Sequence, residues 1–464
     1  MIKIKFKFGL MILLLLCIAI LLMPFIIRAS NDNPLFTGGN FYLNLRTSQD
    51  LSNGVFWDSL EDRIYETSLF HYLLSFLVSV SGIKLVVVTS IITGLLSVVM
   101  FVLIIKDLFE EKNIVLLSVS MLILSPLFLY LFTRINAYSF ATLFSLVFIF
   151  FLMRNNYWSI PFLVLLSVTN FSMFIVNLLL LFSYYLYSRE KMLFWSNFFI
   201  SVITTIIFAY FYRGFIIWSN IFSPPTFVDF FTSFGAQSGI AFFYLFLGVL
   251  GLFTIWRRKS AYNYFLISFM VIFIFSLFNL AGRIALNFYL CVLSGMLIWF
   301  LIERKWAIDT IKKFTLLLIL CGVIFSTSLY IDQLIQSEPG AELVSALSEL
   351  KNQDEGTVLT HQSYGYLVEY FADKKSFLDD SSPNYENYVY LKIIEHRIFD
   401  SRNLDETEFL LKENNIKYLV VTPAMKKGLV WKRESEGLLF LIENTEAFNI
   451  LHSNNGLWIL EYKG

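Results

Sequence analysis

Long apolar runs broken by short polar segments fill the first 336 residues, and their length is that of membrane spans. A helix rising 1.5 Å per residue needs about 20 mainly apolar residues to cross a bilayer core. The runs fall at Met1–Ile27, Leu85–Ile105, Ile114–Phe132, Ala137–Met153, Tyr157–Thr169, Phe171–Tyr187, Leu193–Phe211, Gly239–Trp256, Ala261–Leu280, Ile284–Ile302 and Phe314–Tyr330. They predict a polytopic α-helical membrane protein with about 11 transmembrane helices. A further apolar stretch, Tyr65–Ser81, is interrupted by His71, Ser75, Ser79 and Ser81.

From Ser337 the pattern changes to that of a soluble domain. AELVSALSELK has apolar residues at helical spacing, GTVLT and KYLVVT are short buried-type strands, YLVEYFA reads as a helix, and AFNILHSNNGLWILEY is a hairpin turning at Asn-Asn-Gly. Alternating strands and helices predict a C-terminal α/β domain, residues 337–464, large enough for its own core. The transmembrane domain is then 1–336, with a first outer loop at 28–84.

Charge settles the expected sidedness, because Lys and Arg near helix ends are retained in the cytoplasm. If Tyr65–Ser81 lies along the interface as an amphipathic helix, the groups Lys3/Lys5/Lys7, Lys106/Lys112, Arg154, Arg189/Lys191, Arg257/Arg258/Lys259 and Arg304/Lys305/Lys312/Lys313 all fall inside. If it crosses, every group after the first falls outside. The interfacial reading also requires Tyr157–Tyr187 to be two helices parted at Asn170. It puts the N-terminus in the cytoplasm, as an uncleaved first helix, and the C-terminal domain outside the cell membrane.

Composition agrees with the pattern. The 464 residues are 57% hydrophobic and 15% charged, far from the globular norm of roughly 45–50% and about 25%. The zero net charge conceals a split: residues 1–336 carry 22 Lys/Arg against 14 Asp/Glu, and residues 337–464 carry 13 against 21. Cys17, Cys291 and Cys321 lie within apolar segments, so neither a disulfide framework nor a metal-type cysteine pair is legible. There is no Gly-rich phosphate loop, no Ser/His/Asp order and no basic patch for nucleic acid.

Candidate chemistry gathers in the first outer loop. Asp32, Asp50, Asp58, Glu61, Asp62 and Glu66 are six of the 14 carboxylates before residue 337. Such groups serve as general bases, and they are also able to hold a divalent cation, although no ligand set at metal spacing is legible. Arg283, between two apolar helices, is costly there without an anionic or carbonyl partner. Arg63, Arg134 and Arg213 are further outer arginines, and two or more converging would make an anion site. His71 and His361 stand alone and read as structural.

Three stretches carry a family resemblance. GGNFYLNLRTSQDLSNG resembles a first-loop motif in which an Asp precedes an Arg by six residues. SYGYLVEYFADKKSFLDD resembles the outer-domain stretch around Trp-Trp-Asp-Tyr-Gly, with Tyr364 and Gly365 in place. GRIALNFYLCVLSG resembles a Gly-Arg-Tyr stretch whose Arg holds a carrier phosphate. Together they resemble the GT-C membrane glycosyltransferases over nearly the full length, and most closely the archaeal oligosaccharyltransferase catalytic subunit. The resemblance implies transfer of a sugar from a polyprenyl-phosphate or polyprenyl-pyrophosphate carrier to a glycan or protein acceptor, with Arg283 on the carrier phosphate and Glu66, Asp58 and Asp62 as candidate acids.

The departures from the motifs are specific. Asn40 occupies the position of the family Asp and cannot act as a base. TRINAYSFA lacks the acidic group of the second outer turn, and His361, Gln362 and Ser363 replace Trp-Trp-Asp. They argue against peptide-sequon glycosylation, and leave open a subunit that binds lipid-linked glycan without turnover, a lipid-glycan polymerase or a transporter.

Overall fold

The computed structural model describes residues 6–58, 60–61, 63–65, 67–187, 191–212, 239–256, 263–380, 387–433 and 435–464. They form two compact units, one of Met1–Ser30 with Glu66–Gln336, the other of Asn31–Tyr65 with Ser337–Gly464. The first-loop residues 31–65 therefore pack with the C-terminal part of the chain rather than with the helices that flank them in sequence.

The first unit is helical. It contains α1 (Phe6–Ser30), then, beyond residues 31–65 with their short helix α2 (Gly39–Ser52), α3 (Leu69–Ser81), α4 (Ile83–Leu108), α5 (Lys112–Ile123), α6 (Pro126–Thr133), α7 (Ala137–Met153), α8 (Ser159–Thr169), α9 (Phe171–Tyr187), α10 (Lys191–Tyr212), α11 (Phe242–Trp256), α12 (Asn263–Ser276), α13 (Leu280–Glu303) and α14 (Asp309–Gln336). Among the described residues, α1, α4, α13 and α14 are long and apolar enough to cross a membrane, and α5 with α6 supplies a fifth span if that bent pair is one. The protein is a membrane protein by these helices.

The bend has a local cause. Ile114–Phe132 reads in sequence as one span, but Pro126 has no N–H to continue a helix and starts a new one, 58° off the first. The carbonyl of Leu124, left at the break, accepts the Thr327 hydroxyl at 2.6 Å, and Ser125 bonds Asn287 at 2.8 Å. At Asn170 the chain also breaks: the residue is extended, and its side-chain oxygen accepts the Met173 amide at 2.9 Å, so α9 begins where α8 ends. Close packing of α13 depends on small residues, since a Cβ on Gly251 of α11 would lie 2.3 Å from the Leu293 carbonyl oxygen. Arg28 is fully buried at the end of α1 and donates to the carbonyls of Leu334 and Ile335 at 3.3 and 2.9 Å, tying α1 to the last turn of α14.

The second unit is built on a four-stranded sheet in the order β3-β4-β6-β5, formed by β3 (Thr357–Leu359), β4 (Ile416–Val421), β5 (Phe448–Asn454) and β6 (Leu457–Tyr462). β1 (Trp57–Asp58) and β2 (Arg63–Ile64) form a separate small hairpin. β3 and β4 are parallel, and the crossover between them carries α16 (Tyr388–Asp400) and α17 (Leu404–Glu413); α15 (Ala341–Leu350) precedes β3. The β5–β6 hairpin turns at Asn455 and Gly456, both in left-handed backbone (φ 42 and 85), as the Asn-Asn-Gly sequence demands. The stretch expected as a helix at YLVEYFA is helical: a tight turn over Gln362–Tyr364 leads into an α-helical turn at Gly365–Leu367, which widens over Val368–Ala372 and is stopped by Asp373 in left-handed backbone.

Helix α2 explains why residues 31–65 belong to this unit. Phe41, Tyr42 and Leu45 share a buried face, Phe41 stacks on Phe36 at 4.1 Å, and the Tyr42 ring lies 5.1 and 4.9 Å from Tyr370 and Phe371. The backbone is joined as well, by Gly38 N–H to the Glu338 carbonyl at 2.9 Å and by Ala341 N–H to the Asn33 side chain at 2.8 Å.

Candidate active site

The second unit holds a closed ring of hydrogen bonds around Arg46, on the last turns of α2. Its guanidinium donates from Nη2 to Asp58 Oδ1 at 2.5 Å and from Nη1 to Glu369 Oε2 at 3.2 Å. Glu369 Oε1 accepts the Ser376 hydroxyl at 3.0 Å, the Ser376 amide donates to Glu61 Oε1 at 3.1 Å, and the Glu61 amide donates back to Asp58 Oδ1 at 3.4 Å. Three segments distant in sequence are thereby joined: α2, the β1–β2 turn and residues 369–376. Asp58 and Glu369 are essentially without solvent exposure, so these charges depend on one another in a low-dielectric setting. Beside the ring, the Tyr65 hydroxyl donates to the Asp50 carboxylate; burial first, and then that bond, push the phenol above its usual range.

The positions singled out in the sequence fall unevenly on this architecture. Asp58, expected among the candidate bases, is fully buried, and its Oδ1 is taken by Arg46 and by the amides of Leu60 and Glu61. That geometry ties Asp58 to the hairpin. Asn40 is exposed on the first turn of α2. The backbone of Arg63 pairs with Asp58 across the hairpin. Asp62, Glu66 and Arg213 lie outside the described residues, as does the side chain of Arg63. Glu369 and Ser376 carry no sequence signal beyond an acid in an apolar stretch, and were not expected at a site.

Arg283 and Arg134 belong to the first unit. Arg283 is 9% exposed in the first turn of α13, where Asn279 caps the helix by accepting the Ala281 amide at 2.7 Å. Its Nε approaches the Ser276 carbonyl at 3.4 Å, across a turn in which a Cβ on Gly282 would come within 2.7 Å of Ser276. A guanidinium beside a helix N-terminus sums two positive potentials, which suits an anion. Arg134 is half-buried at the end of α6, 6.0 Å from the Tyr130 ring centroid. Among the described residues no group of three His, Cys, Asp or Glu is arranged to hold a metal ion.

His361 caps the turn that follows it: Nδ1 accepts the Ser363 amide at 3.3 Å and pairs with the Ser363 hydroxyl at 2.8 Å. Burial, then the charges of Lys392 and His396, lower its pKa from 6.5 to about 4. Between those values the unfolded chain binds more protons than the folded one, so stability rises with pH. This contribution is complete above pH 6.5 and is lost as pH falls toward 4. H361N keeps an acceptor for the Ser363 amide and is expected to shallow the acid-side loss in melting temperature; melts of both proteins from pH 4 to 7 that run parallel would contradict it.

No family model and no curated protein matches the chain. Comparison with solved structures shows the fold of the GT-C glycosyltransferases. The apo oligosaccharyltransferase of Archaeoglobus fulgidus superposes with a TM-score of 0.65 at 13% identity, over 98% of this chain and 74% of that one. ArnT of Cupriavidus metallidurans bound to undecaprenyl phosphate gives 0.57 at 11% identity over 97% of both chains. The arabinofuranosyltransferase AftD from Mycobacteria gives 0.59 at 13% identity, over 97% of this chain and 40% of that one.

Proposed function

We propose that the protein is a membrane glycosyltransferase that takes a sugar from a polyprenyl-phosphate or polyprenyl-pyrophosphate carrier and passes it to a hydroxyl acceptor on the outer membrane face. The observation that carries this reading is likeness over 97% of both chains to ArnT, whose structure holds undecaprenyl phosphate. The archaeal oligosaccharyltransferase, similar over nearly the whole of this chain, has been solved with dolichol-phosphate.

In the proposed reaction the acceptor oxygen attacks the anomeric carbon while the bond from that carbon to the carrier phosphate oxygen breaks. The phosphate leaves with the bonding electrons and the configuration inverts. Arg283 holds the carrier phosphate and stabilises the charge that develops on it. The acceptor proton passes to a carboxylate of the acidic run ending at Glu66, because Asp58 is engaged by Arg46 and Asn40 has no basic oxygen at neutral pH. Exposed Asn40 in place of the family Asp, with His361, Gln362 and Ser363 in place of Trp-Trp-Asp, favours an acceptor other than a peptide sequon.

The test is linkage between carrier binding and stability. Undecaprenyl phosphate or dolichol phosphate should stabilise the purified protein by about 2.7 kcal/mol at a hundredfold excess over the dissociation constant, read as a rise in melting temperature. The corresponding alcohol without its phosphate should have no comparable effect. Equal stabilisation by both would overturn the assignment of a phosphate site.

A further inference from the structure

The helical unit holds a cavity of about 80 Å³ between α4, α7, α9, α12 and α13. Apolar side chains make most of its wall, with Phe101, Leu146, Leu180 and Val292 in the buried part. The hydroxyls of Tyr289 and Ser268, also in the wall, are already satisfied: Tyr289 donates to Ser268 at 2.9 Å, and Ser268 to the Phe265 carbonyl at 3.0 Å. Such a wall asks for an apolar guest. Leu108, Ile149 and Met153 of the same wall are partly exposed, so the cavity opens beside the last turns of α4 and α7. Charged side chains stand next to that opening. Arg154 donates to Asp107 from Nε at 2.9 Å and from Nη2 at 3.3 Å, and its guanidinium lies 4.2 Å from the Phe150 ring centroid. Lys106 is exposed beside them, and Glu110, Glu111 and Lys112, also exposed, follow in the connection to α5.

Depth says which guest this is. α4 and α13 are among the helices long and apolar enough to cross a membrane, so the medium around the cavity is hydrocarbon. Charged side chains at the end of such a helix reach for the headgroup level. From there the wall on α4 runs back from Leu108 to Phe101, about 10 Å at 1.5 Å per residue, within the roughly 15 Å of hydrocarbon that one leaflet supplies. The Arg283 turn lies at the far end of α12. That helix runs from Phe265, in the cavity wall, to Ser276, whose carbonyl faces Arg283, a rise of roughly 16 Å. A lipid with its phosphate at Arg283 therefore starts from the opposite end of the unit.

We infer that the cavity binds one acyl chain of a glycerophospholipid from the leaflet at the Lys106–Arg154 end, a resident lipid distinct from the sugar carrier. The chain fills the space between the five helices, and the phosphate rests by Lys106 and Arg154. Asp107, Glu110 and Glu111 balance the cations of the rim, which suits a zwitterionic headgroup. This inference stands whether or not the protein transfers sugar.

The experiment uses the full-length protein in phosphatidylcholine nanodiscs doped with a phosphatidylcholine that bears a diazirine midway along one acyl chain. After irradiation and digestion, adducts are mapped by mass spectrometry. They are expected on Leu108, Met153 and Tyr289 of the wall at several-fold the yield on Ile92 and Leu96 of α4, which are 50% and 47% exposed. Excess undecaprenyl phosphate should leave the wall yield unchanged. V292F fills the cavity and should lower the wall yield to that of Ile92; I149F, at the partly exposed rim, serves should V292F fail to fold. Equal yields on wall and exposed positions in the parent protein would overturn the inference, because the lipid would then be annular only. Loss of the wall adducts to undecaprenyl phosphate would overturn it by giving the cavity to the carrier. Wall adducts that persist in a folded, filled variant would overturn it as well.

Discussion

Replacing Arg283 by alanine is expected to slow sugar transfer by about 10²–10³-fold, the cost of removing one preorganised donor aimed at developing charge, or about 2.7–4 kcal/mol of barrier. The size follows from the setting. The guanidinium is 9% exposed, so its field is weakly screened by water, and it lies against the N-terminus of α13. R283K keeps the charge and loses the planar fork that matches a phosphate, so it should recover part of the rate. Melting temperature in the absence of carrier separates a chemical effect from a folded-state one: R283A and R283K should melt close to the parent while differing from it in turnover. Loss of transfer in R283K as complete as in R283A would mean that shape, not charge, carries the role; full activity in R283A would remove Arg283 from the mechanism.

R46M should be the most destabilising single change in the second unit. It removes the cation that bridges Asp58 and Glu369, both buried. Breaking a buried pair in this way costs about 3–5 kcal/mol, a fall of roughly 10 °C in melting temperature for a unit of this size. The methionine keeps much of the volume, so the loss reports charge. R46M paired with D58N should cost less than the sum of the two single changes, because the residues share one interaction. Strict additivity would show that the ring is not a coupled unit.

Much of the fold can be read from the sequence, for reasons that lie in particular residues. Short buried-type strands at GTVLT and KYLVVT, and the Asn-Asn-Gly turn, are local signals, and each appears where expected. The break at Asn170 is local too. The bend at Pro126 is written in the sequence, yet the apolar run continuing through it masks the change of direction. The short helices between residues 137 and 276 are apolar on all sides, and hydropathy alone does not say which of them cross.

The candidate site was less legible because its geometry is non-local. Arg46 is visible in sequence as the basic residue of a motif, but its partners lie 12 and 323 positions away, and no period or spacing connects them. Asp58 looked available because acids in an outer loop are usually solvated; the helical face Phe41, Tyr42 and Leu45, unread in the sequence, carries Arg46 into contact with it. Arg283 was legible for the opposite reason: a cation between two apolar helices is conspicuous in one dimension, and its burial at a helix start follows from Asn279 and Gly282 beside it.

The measurement that bears most directly on the proposed activity is turnover of a labelled donor. Full-length protein in nanodiscs would be given undecaprenyl- and dolichol-phosphate hexoses radiolabelled in the sugar, with glycan, peptide and water as acceptors, and followed for release of the free carrier phosphate. Release of carrier phosphate is expected, with label recovered, inverted at the anomeric carbon, on a hydroxyl acceptor, and slowed by about 10²–10³-fold in R283A. Carrier binding by the parent protein without consumption of any donor would contradict it, and would make this chain a binding subunit on a transferase fold.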